Sequence, residues 1–299
     1  MQDCNFTWKL LILILMIIII ILLIIGYIGY KWFLNNYYNY TNITTILKKI
    51  LGNQKYFMNY GYWKHEAITL SDANIELCNY IYEKGNLSKS VKILDVGCGH
   101  GEQDVYWAQK TKASIECIDI EEESIKNAKK IIVENNLLDR ITPKIGDACK
   151  LSYKDNSFDT IISLESAFHY ENREFFFKKS YDILEKGGTF IVADIVLNKD
   201  SQNFVNKIYK NMFIQSFHIP KSNLIHSQEY VKQLETIGFK CELYDITKYT
   251  FTPYYKNFFR NLENGSMFFN TIKLLGNVMI NHFCDGTTAF DYIVVVCKK

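Results

Sequence analysis

VKILDVGCGHGEQ, residues 91–103, couples a short apolar run to three glycines at alternate positions and then to the start of a helix. Val91, Ile93, Leu94 and Val96 make a near-continuous hydrophobic run of strand length. Gly97, Gly99 and Gly101 follow where the chain must bend beneath something bulky. Without a Cβ, these positions admit positive φ and let a ligand lie almost on the backbone. From Glu102 onward, EQDVYWAQK can begin a helix whose free N–H groups point back at that ligand. The stretch therefore reads as a cofactor-binding turn.

Spacing separates the cofactor classes that use such a turn. A phosphate-cradling loop needs Gly-x-x-x-x-Gly-Lys-Ser/Thr, which is absent. A dinucleotide turn needs Gly-x-Gly-x-x-Gly, and its third glycine would fall on Glu102. The chain instead has Asp95-x-Gly97-x-Gly99-x-Gly101. This order resembles motif I of the class I S-adenosylmethionine-dependent methyltransferases, and ILDVGCGHG is a close match to it. The resemblance covers about residues 57–299 and is to the small-molecule and lipid-directed, type 11-like members. It implies an α/β fold: a doubly wound, mostly parallel seven-stranded sheet of Rossmann-like methyltransferase type. It also implies S-adenosylmethionine as cofactor, contacted around the turn by Asp95, Gly97, Cys98, Gly99, Gly101 and Gln103.

ASIECIDI (113–120) reads as a second strand ending in Asp119. The interval from Gly97 is close to the ~20 residues expected between a glycine turn and an acid that grips ribose hydroxyls. Ile120 beside it is placed to pack on adenine. ITPKIGDACKL (141–151) is a third strand running into Gly146-Asp147-Ala148. The resemblance implies that Asp147 reaches the adenine amino group, with Ala148 next to it; a surface turn aspartate is the bland alternative. SFDTIISLESAFHY (157–170) is a fourth strand with a polar and aromatic tail. In doubly wound sheets ligands sit beyond the carboxyl ends of strands where strand order reverses, which places Glu165, Ser166, Phe168 and His169 at the chemistry. Glu165 reads as a cofactor contact. His169 reads as the catalytic base, because a hydroxyl or ammonium acceptor must lose a proton, although a lone histidine can equally be a structural donor.

MNYGYW (58–63) resembles the Asn-x-Gly-Tyr-Trp segment that folds over the cofactor in small-molecule methyltransferases. Tyr60, Tyr62 and Trp63 are expected to exclude water there, against the alternative of ordinary aromatic packing. Further on, Phe177, Tyr181 and Leu184 form a helix stripe closed by Gly187-Gly188, and a fifth strand runs to Ile195. Residues 203–217 read as a helical insertion over the acceptor pocket. A helix with Ser227 as N-cap ends near Gly238, and FKCELYDI and FDYIVVVCKK are the last strands. Sterol-methylating relatives usually continue motif I with Gly-Gly-Pro, where Gly101-Glu102-Gln103 stands here. Cyclopropane-forming relatives typically have Trp where this chain has His100.

The chain has 299 residues, 48% of them hydrophobic, enough for one large catalytic domain plus an appendage. With 34 basic and 32 acidic residues interspersed, no nucleic-acid footprint is visible. The eight cysteines contain no Cys-x-x-Cys pair, which suggests neither a zinc or other metal site nor a disulfide framework, and fits a reducing compartment. Leu10 to Gly29 is an unbroken apolar run flanked by Trp8-Lys9 and Tyr30-Lys31-Trp32. That is long enough to cross a bilayer core, and too long for a typical signal-peptide core. The expected organisation is a tail at 1–9, a transmembrane helix at 10–30, a juxtamembrane segment at 31–56 and the catalytic domain at 57–299. Lys31, Lys48 and Lys49 favour a single-pass protein with a cytosolic catalytic domain. A membrane-anchored methyltransferase acting on a small-molecule or lipid-like acceptor is the resulting expectation; the alternative is an inactive binding or scaffold protein of the same fold at a membrane.

Overall fold

The computed structural model describes residues 57–64, 69–199, 217–261 and 289–299, with Lys207, Lys210, Asn211 and Phe213–Gln215 between them. All belong to the unit Lys48–Lys299. The expected span at 10–30 and its flanks lie outside the described residues. Among the described residues no helix is long and apolar enough to cross a membrane.

Seven strands form one sheet in the spatial order β3-β2-β1-β4-β5-β7-β6. They are β1 (Lys92–Val96), β2 (Ser114–Asp119), β3 (Ile141–Ile145), β4 (Phe158–Leu164), β5 (Leu184–Leu197), β6 (Lys240–Asp245) and β7 (Phe290–Lys298). The first five strands pair in parallel, and β7 enters antiparallel between β5 and β6. Strand order reverses between β1 and β4, so the reading of a doubly wound, mostly parallel sheet holds.

Strand alternation divides the interior into two cores, because successive side chains point to opposite faces. Ile93, Ile162, Ile191 and Val294 pack on one side with Leu77 and Ile81 of α1 (Leu70–Gly85), Trp107 of α2 (Glu102–Lys110) and Ile132 of α3 (Glu122–Glu134). Leu94, Ile161, Phe190 and Val295 pack on the other with Phe176 and Phe177 of α4 (Arg173–Ile183) and Tyr230 and Leu234 of α5 (Ser227–Ile237). A sixth helix, α6 (Phe251–Asn261), follows β6. Helix α1 starts on a capping box in which Thr69 and Asp72 exchange side-chain and backbone hydrogen bonds, satisfying amides that the first turn leaves free.

Two boundaries differ from the sequence reading. Leu184 starts β5 rather than closing the α4 stripe, and Gly187-Gly188 falls in a register break between β4 and β5, with Gly187 at φ +78°. Helix α5 begins at Ser227 with His226 at the N-cap, because the His226 Nδ1 is engaged with the Leu197 carbonyl at 2.9 Å.

Candidate active site

The carboxyl ends of β1 and β4 bracket the glycine turn. Gly97, Gly99 and Gly101 all have positive φ. A Cβ on Gly97 would lie 1.8 Å from Ser166 Oγ, so the segment after β4 presses directly on the turn. Gly99 is different: a Cβ there would meet nothing nearer than Met58 Sδ at 3.5 Å, leaving its outer face free for a ligand. Tyr170 ties the two strand ends together, its hydroxyl donating to the Val96 carbonyl at 2.9 Å.

Asp119 closes the turn from β2. Its Oδ2 accepts the Gly99 amide at 2.9 Å and its Oδ1 the Glu121 amide at 2.9 Å, while burial raises its pKa. Ile120 next to it is 69% exposed, an apolar face standing open beside that carboxylate. A glycine cradle with free space, a buried acid one strand over and an uncovered isoleucine fit an adenosyl group. Asp119 would hold the ribose hydroxyls and Ile120 the base. Asp95 is wholly buried beneath the turn, accepts from Gln103 Nε2 at 3.1 Å, and is pushed up to about 7 by burial. Cys98 is buried inward and His100 is buried within the turn. Asp147 is already committed locally: Oδ1 accepts the Cys149 amide at 2.8 Å and Oδ2 pairs with Lys150 at 3.1 Å. Ala148 beside it is buried.

Glu165 stands at the centre. It has a left-handed backbone, φ +51°, at the end of β4, the kind of strain that clusters at functional sites. Its Oε1 accepts the Tyr60 amide at 2.8 Å and the Tyr292 hydroxyl at 2.6 Å. Burial pushes its pKa up to about 8, beyond what those two donors offset. The segment expected as a lid does reach the site, through Met58, which lies beside Gly99, and through Tyr60. The Tyr60 ring packs against Tyr254 and Phe251 at 4.8 and 5.1 Å. Trp63 instead joins Leu70 and Ala73 in a small cluster, and Tyr62 packs on Tyr80 and Tyr249, because their backbone amides are paired to Tyr249 and Ala73 carbonyls away from the turn.

His169 sits in the 3-10 turn Ala167–His169 that follows β4. Loss of water around the imidazole lowers its pKa to about 4, and its bond to the Phe217 backbone carbonyl offsets this only in part. Phe217 and Phe213 lie 4.4 Å apart and Phe213 and Phe290 4.6 Å, so the described part of the expected insertion forms an aromatic wall beside His169. The turn is held by residues that spacing did not single out. Asp194 on β5 accepts the Phe168 amide at 3.1 Å, and Asn223 Nδ2 donates to the Phe168 and Tyr170 carbonyls at 3.0 and 2.7 Å. A lone acid inside the apolar run FIVADIVL was the available signal for Asp194. Tyr292 and Asn223 had none.

The cysteine reading is corrected. Cys241 and Cys297 face each other across β6 and β7 with Cα atoms 4.1 Å apart and form a disulfide. Cys98 and Cys117 are brought together with Asp104. Cysteine usage thus no longer argues for a reducing compartment.

The family model described as mycolic acid cyclopropane synthetase matches residues 43–283. Among curated proteins, the chain is 32% identical over 216 residues to erythromycin 3''-O-methyltransferase of Saccharopolyspora erythraea, covering 70% of this chain and 71% of that one. It is 27% identical over 164 residues to sterol 24-C-methyltransferase erg-4 of Neurospora crassa, covering 54% and 43%. Among solved structures, geranyl diphosphate C-methyltransferase from Streptomyces coelicolor, in complex with Mg2+, geranyl diphosphate and S-adenosyl-L-homocysteine, superimposes with a TM-score of 0.67 at 13% identity, covering 84% and 92%. That likeness concerns the fold. His100 in place of Trp does not set the chain outside the family. With this match and this cradle, the chain belongs to the mycolic acid cyclopropane synthetase family and is an S-adenosylmethionine-dependent methyltransferase of the small-molecule type.

Proposed function

We propose that the enzyme methylates a hydroxyl on an apolar, lipid-like small molecule, that residues 10–30 hold it at a bilayer, and that its catalytic unit faces the cytosol. His169 carries the first part. Its imidazole is neutral above about pH 4, and the bond to the Phe217 carbonyl fixes one ring nitrogen as the donor. The other nitrogen keeps its lone pair, which suits it to take a hydroxyl proton. S-adenosylmethionine supplies an electrophilic methyl carried on a sulfonium. Gly97, Gly99, Asp119 and Ile120 would hold its adenosyl portion, and Glu165 with Tyr60, joined by a hydrogen bond, would contact the cofactor from the end of β4. Phe213, Phe217 and Phe290 exclude water and offer an apolar surface to the acceptor. Similarity to an enzyme named as an O-methyltransferase supports a hydroxyl acceptor. The apolar run at 10–29 and the lysines beyond it support the anchor and its orientation.

The full chain in lipid vesicles, supplied with methyl-labelled cofactor and a panel of hydroxylated apolar compounds, is expected to label a lipid-like alcohol. His169→Ala is expected to lower kcat by roughly 100-fold or more while leaving the cofactor Kd unchanged. Unchanged kcat would remove His169 as the base, and transfer only to nitrogen or carbon would remove the hydroxyl. Deleting residues 1–32 should slow methylation of vesicle-held acceptors and spare that of water-soluble ones.

A further inference from the structure

Cys98 in the glycine turn, Asp104 in the first turn of α2 and Cys117 on β2 converge from three elements. Their two sulfurs and a carboxylate oxygen all lie within 4.8 Å of one another. All three side chains are removed from water, with 1%, 0% and 0% exposure. Neither carboxylate oxygen of Asp104 accepts from an N–H or a hydroxyl among the described residues; its polar neighbours are the Asp95 carboxyl group and the Cys117 thiol. None of the ion pairs among those residues reaches it either. An acid buried beside a second acid and two thiols, with no cation near it, is costly to ionise, and coordination to a metal is one resolution. Asp95 sits alongside: its Oδ2 accepts from Gln103, and its carboxyl group faces that of Asp104 within hydrogen-bonding reach.

We propose that Cys98, Asp104 and Cys117 bind one divalent cation of the zinc class beneath the cofactor turn. Two thiolates and a carboxylate suit Zn2+, Co2+ or Cd2+, whereas Mg2+ and Ca2+ take oxygen sets. Binding exchanges protons for the ion: each thiol, and each carboxylic acid that coordinates, releases its proton to solvent as its bond to the metal forms. No oxidation is involved. The ion would join the turn, α2 and β2, the elements that shape the cradle, and so would act on stability rather than on methyl transfer. The proposal is independent of the acceptor and of the role of His169.

The test is spectroscopic. The full-length chain, reduced with a phosphine, stripped with a chelator and titrated with Co2+, is expected to take up one equivalent with a near-ultraviolet thiolate-to-cobalt charge-transfer band and a visible band of tetrahedral type. Zn2+ should displace it and raise the melting temperature. Cys117→Ala should weaken the charge-transfer band, Asp104→Asn should lower Co2+ affinity at least tenfold, and Cys149→Ser, outside the cluster, should change neither. Absence of the charge-transfer band in the unmodified protein overturns the proposal whatever the variants do. So does a band unchanged by both Cys117→Ala and Asp104→Asn, or a Cys98–Cys117 disulfide surviving the phosphine.

Discussion

Glu165 holds a proton across the neutral range because burial disfavours its charge. Its folded pKa of about 8 lies above its ordinary 4.5. Between those values the folded protein keeps a proton that the unfolded chain has released, so this group's contribution to stability falls as pH rises from about 4.5 to about 8. Glutamine keeps the acceptor oxygen for Tyr60 and Tyr292 but never ionises. Glu165→Gln is therefore expected to match the parent in denaturant titrations near pH 4.5 and to exceed it above pH 8 by roughly 3–5 kcal/mol. A parallel pH dependence in the two proteins would sink the assignment. His169 shifts the other way. Its base form persists down to about pH 4, so the acid limb of kcat should lie near 4 rather than near the ordinary 6.5. An acid limb at 6.5 would mean that water reaches the imidazole in the working enzyme.

At the scale of elements, the turn Ala167–His169 is a short loop pinned on both sides. Asp194 receives the Phe168 amide and also the Tyr230 hydroxyl at 2.8 Å, and the Arg173 guanidinium stands 3.8 Å away. Burial still lifts Asp194 to about 6, against the pull of Arg173. That guanidinium is 3% exposed and also lies over the Tyr230 ring at 4.6 Å, a cation–π contact that replaces some of its lost hydration. Asn223 supplies the opposing clamp through one amide nitrogen. Asn223→Ala strips a donor from two carbonyls. It is expected to cost about 1–3 kcal/mol and to lower kcat more than it weakens cofactor Kd, since Asn223 itself bonds no residue of the glycine turn. A change confined to cofactor Kd, with kcat intact, would show that the clamp does not serve His169.

Over the whole molecule, the sheet separates two cores and ends in the antiparallel pair β6 and β7, where the disulfide closes a sequence separation of 56 residues. A crosslink of that span restricts the unfolded chain and stabilises by about 2–4 kcal/mol. Urea unfolding with and without reductant should show a loss of unfolding free energy of that size, read as a lower midpoint. Cys297→Ala should reproduce the loss and abolish the effect of reductant. Equal midpoints with and without reductant would mean that the thiols are unbonded in solution.

The glycine turn, Asp119 at its interval and the strand–helix alternation were legible from sequence because local rules govern them, and the motifs so formed carried the resemblance to the family. Only glycine accepts the φ values of positions 97, 99 and 101 without strain, and strand–helix alternation makes the spacing of functional residues predictable. Tyr292 meeting Glu165 across 127 residues, Asn223 reaching back 55 to Phe168, and Cys241 opposite Cys297 obey no such rule. Each depends on how β5, β7 and the loops after β4 pack. Tertiary structure likewise kept Tyr60 at the site and turned Trp63 into the core, although the two are three positions apart in one aromatic segment. The physical reason is common to all of these. A turn's dihedral demands are written in the residues that make it, whereas the partner of a buried polar group is whatever the folded chain brings within about 3 Å.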